Sequence, residues 1–221
     1  MRENFIQTGT KGKDQRSYLD GDWFSNGIPS NVVMADNVYI DSSYGFTKFC
    51  SLEPVGMFID EASGCYDRST FITSPQGKIL VGKYSILNGT TLISNKSITI
   101  GDHCMLSWGS VITDNWIPAN STIHQRRKLL KAAAVDTSRG YPFFETSKPV
   151  VLEDNCWVGF GAIIMPGVRL GKGCIVACKT IITEDVPPYA IVAGSDSKIV
   201  RFLTPDDTEE EKQKALNTLR Y

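Results

Sequence analysis

The chain has 221 residues, of which 42% are hydrophobic and 21% charged, enough for one sizeable core in an ordinary globular composition. A formal net charge of -1 gives no whole-molecule field for nucleic acid or an anionic membrane, so neither is an expected partner. No 18-residue apolar run occurs and the opening MRENFIQTGTKGKDQRSYLDGDW lacks the apolar stretch of a signal peptide, which makes the expected location cytoplasmic.

Residues 1–30 are polar and irregular and read as an N-terminal arm. A six-residue spacing then begins loosely at Met34, Ile40 and Phe46, returns at Ile59, Cys65 and Phe71, and passes the turn-like TSPQGK. It becomes clean at Val81, Leu87, Ile93, Ile100, Leu106 and Ile112, and again at Leu152, Val158, Ile164, Leu170, Val176 and Ile182. Four residues after these stand Ser85, Thr91, Ser97, Cys104, Ser110, Cys156, Ala162, Val168, Cys174, Thr180 and Val186, with Ile98 taking the flank where the register slips at Thr99. Six matches neither the 3.6 of a helix nor the simple alternation of a hairpin strand. It describes a triangular coil with one hexapeptide per side, large aliphatics filling the bore and each strand pairing with its equivalent one coil along, about 4.8 Å away. Gly82, Asn88, Gly101, Asp102, Asp154, Asn155, Gly159, Gly161, Gly167, Gly171 and Gly173 punctuate the expected corners, as residues that tolerate positive φ at little steric cost.

The repeat breaks over about 115–148, where STIHQRRKLLKAAAV has helix formers, a candidate cap at Ser121 and a cationic run of Arg126, Arg127, Lys128 and Lys131 before Gly140, Tyr141 and Pro142. Long excursions from regular scaffolds often carry function, so the acceptor site is sought there. After Ile182 the segment TEDVPPYAIVAGSDSKIVRFL is expected to leave the coils, and 204–221 reads as a helix capped by Thr204, with Pro205 in its first turn and early acids. The fold class is all-β: a parallel β-helix over 31–203 with an inserted excursion and a C-terminal helix beside it. Cys104, Cys156 and Cys174 fall on small inward positions. Cys50, Cys65 and Cys178 show no redox or zinc spacing and are expected to be buried structural thiols.

The stretch LEDNCWVGFGAIIMPGVRLGKGCIVACKTIITEDVPPYAIVAGSDSKIVRFL resembles the C-terminal coils of the hexapeptide-repeat acyltransferases, the left-handed β-helix group that includes galactoside, maltose and xenobiotic acetyltransferases. The resemblance implies a homotrimer with active sites between prisms and acetyl-CoA as acyl donor. Carried over residue by residue, Trp157 flanks the pantetheine near the thioester, and Gly159, Ala177 and Cys178 give close backbone approach. Thr183 lies toward the adenine, and Lys198 and Arg201 meet the CoA phosphates. Two positions depart from the pattern: Glu184 stands where a basic residue is usual, and Ser195-Asp196-Ser197 replaces the usual Asn/Val-Pro before the basic residue. Both place carboxylates where phosphates are expected.

Transfer to a hydroxyl needs a base for its proton and a donor for the oxyanion. The family histidine precedes a proline, and here that position is Ile117 before Pro118. His124, seven residues on and inside the excursion, is the candidate base, while His103 in IGDHC reads as an outward corner residue. Asp114 is either a turn-forming residue or a group that orients a base or takes the proton itself. Two histidines do not supply the three protein ligands of a catalytic zinc, so no metal is expected. The resulting expectation is acetyl transfer to a hydroxyl or amino group of a sugar or nucleotide-sugar-like molecule. The alternative is a non-catalytic β-helix binding or assembly module.

Overall fold

In the computed structural model, residues 10–11, 16–116, 121–136 and 145–217 are described. Ile117 and Pro118, Gly140 to Pro142, most of the N-terminal arm before residue 16, and residues 218–221 of the expected C-terminal helix lie outside them.

Short strands turn about a common bore and stack into three parallel sheets, the walls of a prism. Wall I holds six strands, Val32–Met34, Met57–Ile59, Lys78–Val81, Ser97–Ile100, Val150–Leu152 and Arg169–Leu170. Wall II runs Tyr39–Ile40, Gly64–Tyr66, Ile86–Asn88, Met105–Leu106, Trp157–Val158, Ile175–Val176 and Ala190–Ala193, and wall III runs Thr70–Thr73, Thr91–Ser94, Val111–Thr113, Ile163–Ile164 and Ile181–Ile182. In-register columns show why six-residue spacing produces this shape. Ile59, Val81, Ile100, Leu152 and Leu170 stack on wall I, and Cys65, Leu87, Leu106, Val158 and Val176 on wall II. All of these are buried, each contributing about 1.5–3 kcal/mol when large and aliphatic.

One coil departs from the expected register. On wall III, Leu92 rather than Ile93 stands between Phe71 and Ile112, and Thr90 rather than Thr91 takes the small buried position. The corner at Asn88–Gly89 turns one residue sooner, and Ile98 and Ile100, both buried, restore phase on wall I.

The corner glycines divide by cause. Gly161, Gly167 and Gly173 have positive φ, as expected, but Gly82, Gly101, Gly159 and Gly171 do not. These four are small because a Cβ would strike the next coil: at Gly171 it would lie 2.4 Å from Pro188 N, and at Gly159 2.7 Å from Cys178 N. Left-handed backbone at the wall I–II corner falls instead largely to non-glycine residues, among them Ala62, Tyr84, His103 and Asn155. Tyr84 and His103, on adjacent coils, stack their rings at 5.2 Å, which fits the outward structural reading of His103.

The exit segment does not leave the prism at Ile182. Val186 bridges Leu170 on wall I, and Ala190–Ala193 adds a parallel strand to wall II before Lys198–Phe202 folds back antiparallel over that edge. The class is therefore mostly β rather than all-β, with two α-helices among the described residues. Helix α1 (Ile123–Val135) is capped by Thr122, not Ser121, in a reciprocal capping box with Gln125, and it buries none of its side chains. Helix α2 (Glu209–Asn217) starts later than expected: Thr208 with Glu211 makes the cap that Thr204 was expected to make. Ala215 is its buried contact, beside a hollow whose far side is Thr99 and Val151 of wall I.

Candidate active site

Where wall II turns into wall III, each coil presents one side chain just before a residue in left-handed backbone. Going up the prism these are Asp67, Asn88, Trp108, Phe160 and Cys178, each followed by a positive-φ residue: Arg68, Gly89, Gly109, Gly161 and Lys179. The coils are tied here by Gly89 N to Tyr66 O, Gly109 N to Gly89 O, Gly161 N to Trp108 O and Lys179 N to Phe160 O, all between 2.8 and 3.0 Å. The result is a straight, open edge.

Three of the expected cofactor residues meet on this edge. Gly159 is packed so tightly under the next coil that a Cβ would approach Ala177 C at 3.0 Å as well as Cys178 N. Gly159 N donates to Val176 O at 2.8 Å and Ala177 N to Val192 O at 2.9 Å, so both amides are spent inside the sheet, and the steric demand at Gly159 exists without any ligand. Cys178 is exposed and Cys65 buried; Cys50 is also exposed, which corrects the expectation of buried thiols at positions 50 and 178. Inside the prism Cys104 and Cys156 are buried with Cys174, whose Sγ lies 3.7 Å from that of Cys156.

Trp157 projects from wall II, 43% exposed, and its Nε1 reaches Ser107 Oγ at 3.4 Å, immediately beside Trp108. Its other flank lines a cavity of about 430 Å³ with Asn155, Ile175, Tyr189, Leu203 and Pro205. In the same cavity wall, Lys172 Nζ and Tyr189 Oη both bond Asp207, at 3.0 and 2.8 Å. Burial first, then the hydrogen bond to Asp207, pushes the Tyr189 phenol far above its usual range, so Tyr189 is a structural donor.

Toward the upper end, Thr183, Glu184, Asp185, Asp196 and Ser197 surround a hollow of about 210 Å³. Lys198 is exposed, with its Nζ 3.7 Å from Asp196, and Arg201 lies on the same exposed antiparallel strand. The structure thus gathers Thr183 with the two departures noted in the sequence, and the rim it makes is acidic.

Asp114 is not available as a base. It is fully buried and accepts from Asn95 N and Lys96 N at 2.7 Å each and from Ser94 Oγ at 3.0 Å, holding the turn between walls III and I. Burial pushes its carboxyl up, and these hydrogen bonds work against that rise. Its carbonyl accepts from Lys148 N at 2.9 Å, while Asn95 and Asn115 both donate to Ser147 Oγ. Asp114 is therefore the staple at the foot of the excursion. His124 sits exposed in the first turn of α1. Trp108 and Phe160 were missed: they stack at 5.4 Å with 12° between their planes, both about half exposed, and Trp108 Nε1 donates to Asp67 Oδ2 at 2.6 Å. Their sequence signal was an aromatic before glycine, twice, at one corner of successive coils.

Residues 149–184 match the family model described as bacterial transferase hexapeptide (six repeats). Over 75 residues the chain is 43% identical to the 2,3,4,5-tetrahydropyridine-2,6-dicarboxylate N-acetyltransferase of Staphylococcus aureus strain JH9; the match covers 34% of this chain and 31% of that protein. The chain thus spans about a third of the length of the curated relatives it matches. Among solved structures it resembles the N-acyltransferase AntD from Bacillus cereus, seen as a point mutant with dTDP and coenzyme A, at a TM-score of 0.59 and 17% identity over 85% of this chain and 92% of that one. AntD with dTDP and 3-hydroxybutyryl-CoA gives a TM-score of 0.55, 17% identity, and coverage of 85% and 88%. At that identity the likeness establishes the architecture. The hexapeptide repeat is thus matched over residues 149–184, and the chain shares its parallel β-helix architecture with these solved structures.

Proposed function

We propose that the protein is an acyl-CoA-dependent acyltransferase, transferring acetyl to an amino or hydroxyl group of a sugar or nucleotide sugar. The observation that carries this is the open edge on which Gly159, Ala177 and Cys178 lie together, beside the half-exposed Trp157 indole. An extended pantetheine arm fits such an edge. The kinship of 149–184 with the transferase repeat, and the N-acetyltransferase relative over 75 residues, support the same reading.

The finer parts of the proposal are a left-handed prism, a homotrimer in the cytoplasm, and sites completed between protomers. Among the described residues no helix is long and apolar enough to cross a membrane. Thr183, Lys198 and Arg201 are assigned to the nucleotide end. The acidic hollow at Glu184 and Asp196 implies weak hold on the phosphates there. His124 is the candidate base, reaching the acceptor of a neighbouring prism, since α1 buries nothing against its own. An amine acceptor, as in the AntD complexes with a dTDP-4-amino sugar, needs less help from a base because a neutral amine attacks a thioester readily.

Free thiol release from acetyl-CoA with a panel of sugars and amino sugars tests the activity, and calorimetry with CoA tests the donor site. Absence of both overturns the proposal. If turnover is present, His124→Ala decides whether that imidazole is the base. The acidic rim favours the second reading, a binding or assembly module without catalysis, which would show partner capture with no CoA binding.

A further inference from the structure

We propose that Asp67, Trp108 and Phe160 form a pyranose-binding platform on the wall II–III edge, the subsite that receives the acceptor. This deepens the acyltransferase reading and rests on it for the word acceptor, while the binding itself stands on geometry alone.

Three features point to a ligand. The first is exposure: two stacked aromatic side chains, 45% and 49% exposed, hold apolar surface in water at mid-edge although the bore is open to aliphatics throughout. The second is fixation. Trp108 descends across Gly89, where a Cβ would come to 3.0 Å from its ring, and its indole N–H is held by Asp67 two coils below. A surface tryptophan clamped at both ends has lost its rotamer freedom before any ligand arrives, which lowers the cost of binding. The third is the backbone beneath it: Asp67 and Arg68 are consecutive non-glycine residues at φ 50 and 59, a conformation held by Asp41, whose carboxylate accepts from Arg68 N at 3.2 Å.

The chemistry selects the ligand class. Asp67 spends Oδ2 on the indole, and no described residue donates to its Oδ1. The adjoining Asp41 adds a second carboxylate, so an anionic group at this end is disfavoured. A neutral or cationic ring with several hydroxyl donors and one C–H face suits both surfaces, the face on the aromatic pair and the hydroxyls on Asp67. A pyranose meets these requirements. The site lies on the same edge as Cys178 and Gly159 and below them, and Ser107, next to Trp108, accepts from the indole of Trp157, the residue assigned to the thioester end.

The test uses methyl α-D-glucopyranoside and D-glucosamine as probes, followed by saturation-transfer NMR and by calorimetry on the intact protein. The expected result is binding of at least one probe, with saturation strongest on one ring face. Asp67→Asn and Trp108→Phe are each expected to weaken it on the order of tenfold, from loss of a charged acceptor or of the clamp. Trp108→Phe keeps an aromatic stack if Trp108→Ala does not fold, and thermal melts of each variant identify any loss due to unfolding. CoA affinity is measured in parallel and is expected to be unchanged. The proposal is overturned if neither probe binds the wild type, or if both variants bind it as the wild type does. Sugar binding without CoA binding would retain the platform and remove the acyltransferase reading.

Discussion

Replacing Asp114 by asparagine separates a structural role from a chemical one. The wild-type carboxylate receives two backbone N–H groups and one hydroxyl in a fully buried setting. In its best orientation the amide keeps its oxygen toward Lys96 N and Ser94 Oγ and turns its NH₂ onto Asn95 N–H. One charge-assisted bond, about 1.5–3 kcal/mol, is lost, and a buried donor is left unpaired at about 1–3 kcal/mol more. Burial already disfavours the charge on Asp114, so neutralising it returns part of this, and the net loss is about 2–4 kcal/mol. At roughly 2–4 °C per kcal/mol for a chain of this size, the melting temperature should fall by about 5–15 °C. Circular dichroism measures the melt, and thiol release at a temperature where both proteins are folded measures the rate. A D114N protein that melts within about 2 °C of wild type but turns over tenfold more slowly would refute the staple and return Asp114 to the chemistry. The residue's titration runs in a matching sense: with its folded pKa raised, the native state holds the proton longer. Its contribution to stability therefore falls as pH rises from the ordinary carboxylate value through the raised one.

Asp22 gives the opposite sign. Burial alone would raise its pKa, but donation from Ser43, Phe24 and Ser42 lowers it, so it stabilises above the ordinary carboxylate range and that support is lost as pH falls through the lowered value. Fluorescence of the neighbouring Trp23 should report this acid limb, and Asp22→Asn should flatten it. Gly159→Ala should lower the melting temperature by several degrees, about 1–3 kcal/mol of overpacking, in the absence of any cofactor, because the added methyl meets Cys178 N at 2.7 Å. A melt unchanged by that substitution would mean the coils yield more readily than their spacing implies. Glu184→Lys, which replaces one carboxylate of the acidic hollow by a cation, should tighten CoA binding about three- to tenfold at low salt and lose most of that gain at high salt, read by calorimetry. No tightening would move the nucleotide away from Thr183.

Much of the prism was legible because one burial rule repeats: the same spacing that selects Leu106, Val158 and Val176 puts them in a single column. It failed by one residue at Leu92, where a shorter corner shifted phase between two adjacent aliphatics that composition cannot tell apart. Glycine was read too narrowly, since Gly101 and Gly171 answer to the distance between coils and not to backbone freedom. The exit segment was expected to leave the coils after Ile182, yet Pro187 and Pro188 occupy a corner and Val186 still reaches wall I. Of the site, the edge with Gly159, Ala177 and Cys178 came from a motif. For Asp114 the sequence left a turn-forming role and a chemical one both open, because its three partners lie about twenty residues back in sequence and are adjacent only after a full turn of the coil. Trp108 and Phe160 are 52 positions apart and become neighbours only because the intervening insert closes on itself.

That closure has a further consequence. With Lys148 N bonded to Asp114 O, more than thirty residues enter and leave the wall through what amounts to one peptide-to-peptide contact, and Val150–Leu152 then pairs with Ile98–Ile100 as though nothing intervened. The scaffold registers the insert as a single bend. Beyond the buried foot of Asn115 and Ser147, its length and composition are free to drift, or to be rewritten by design for a new acceptor, without retuning a rung above or below.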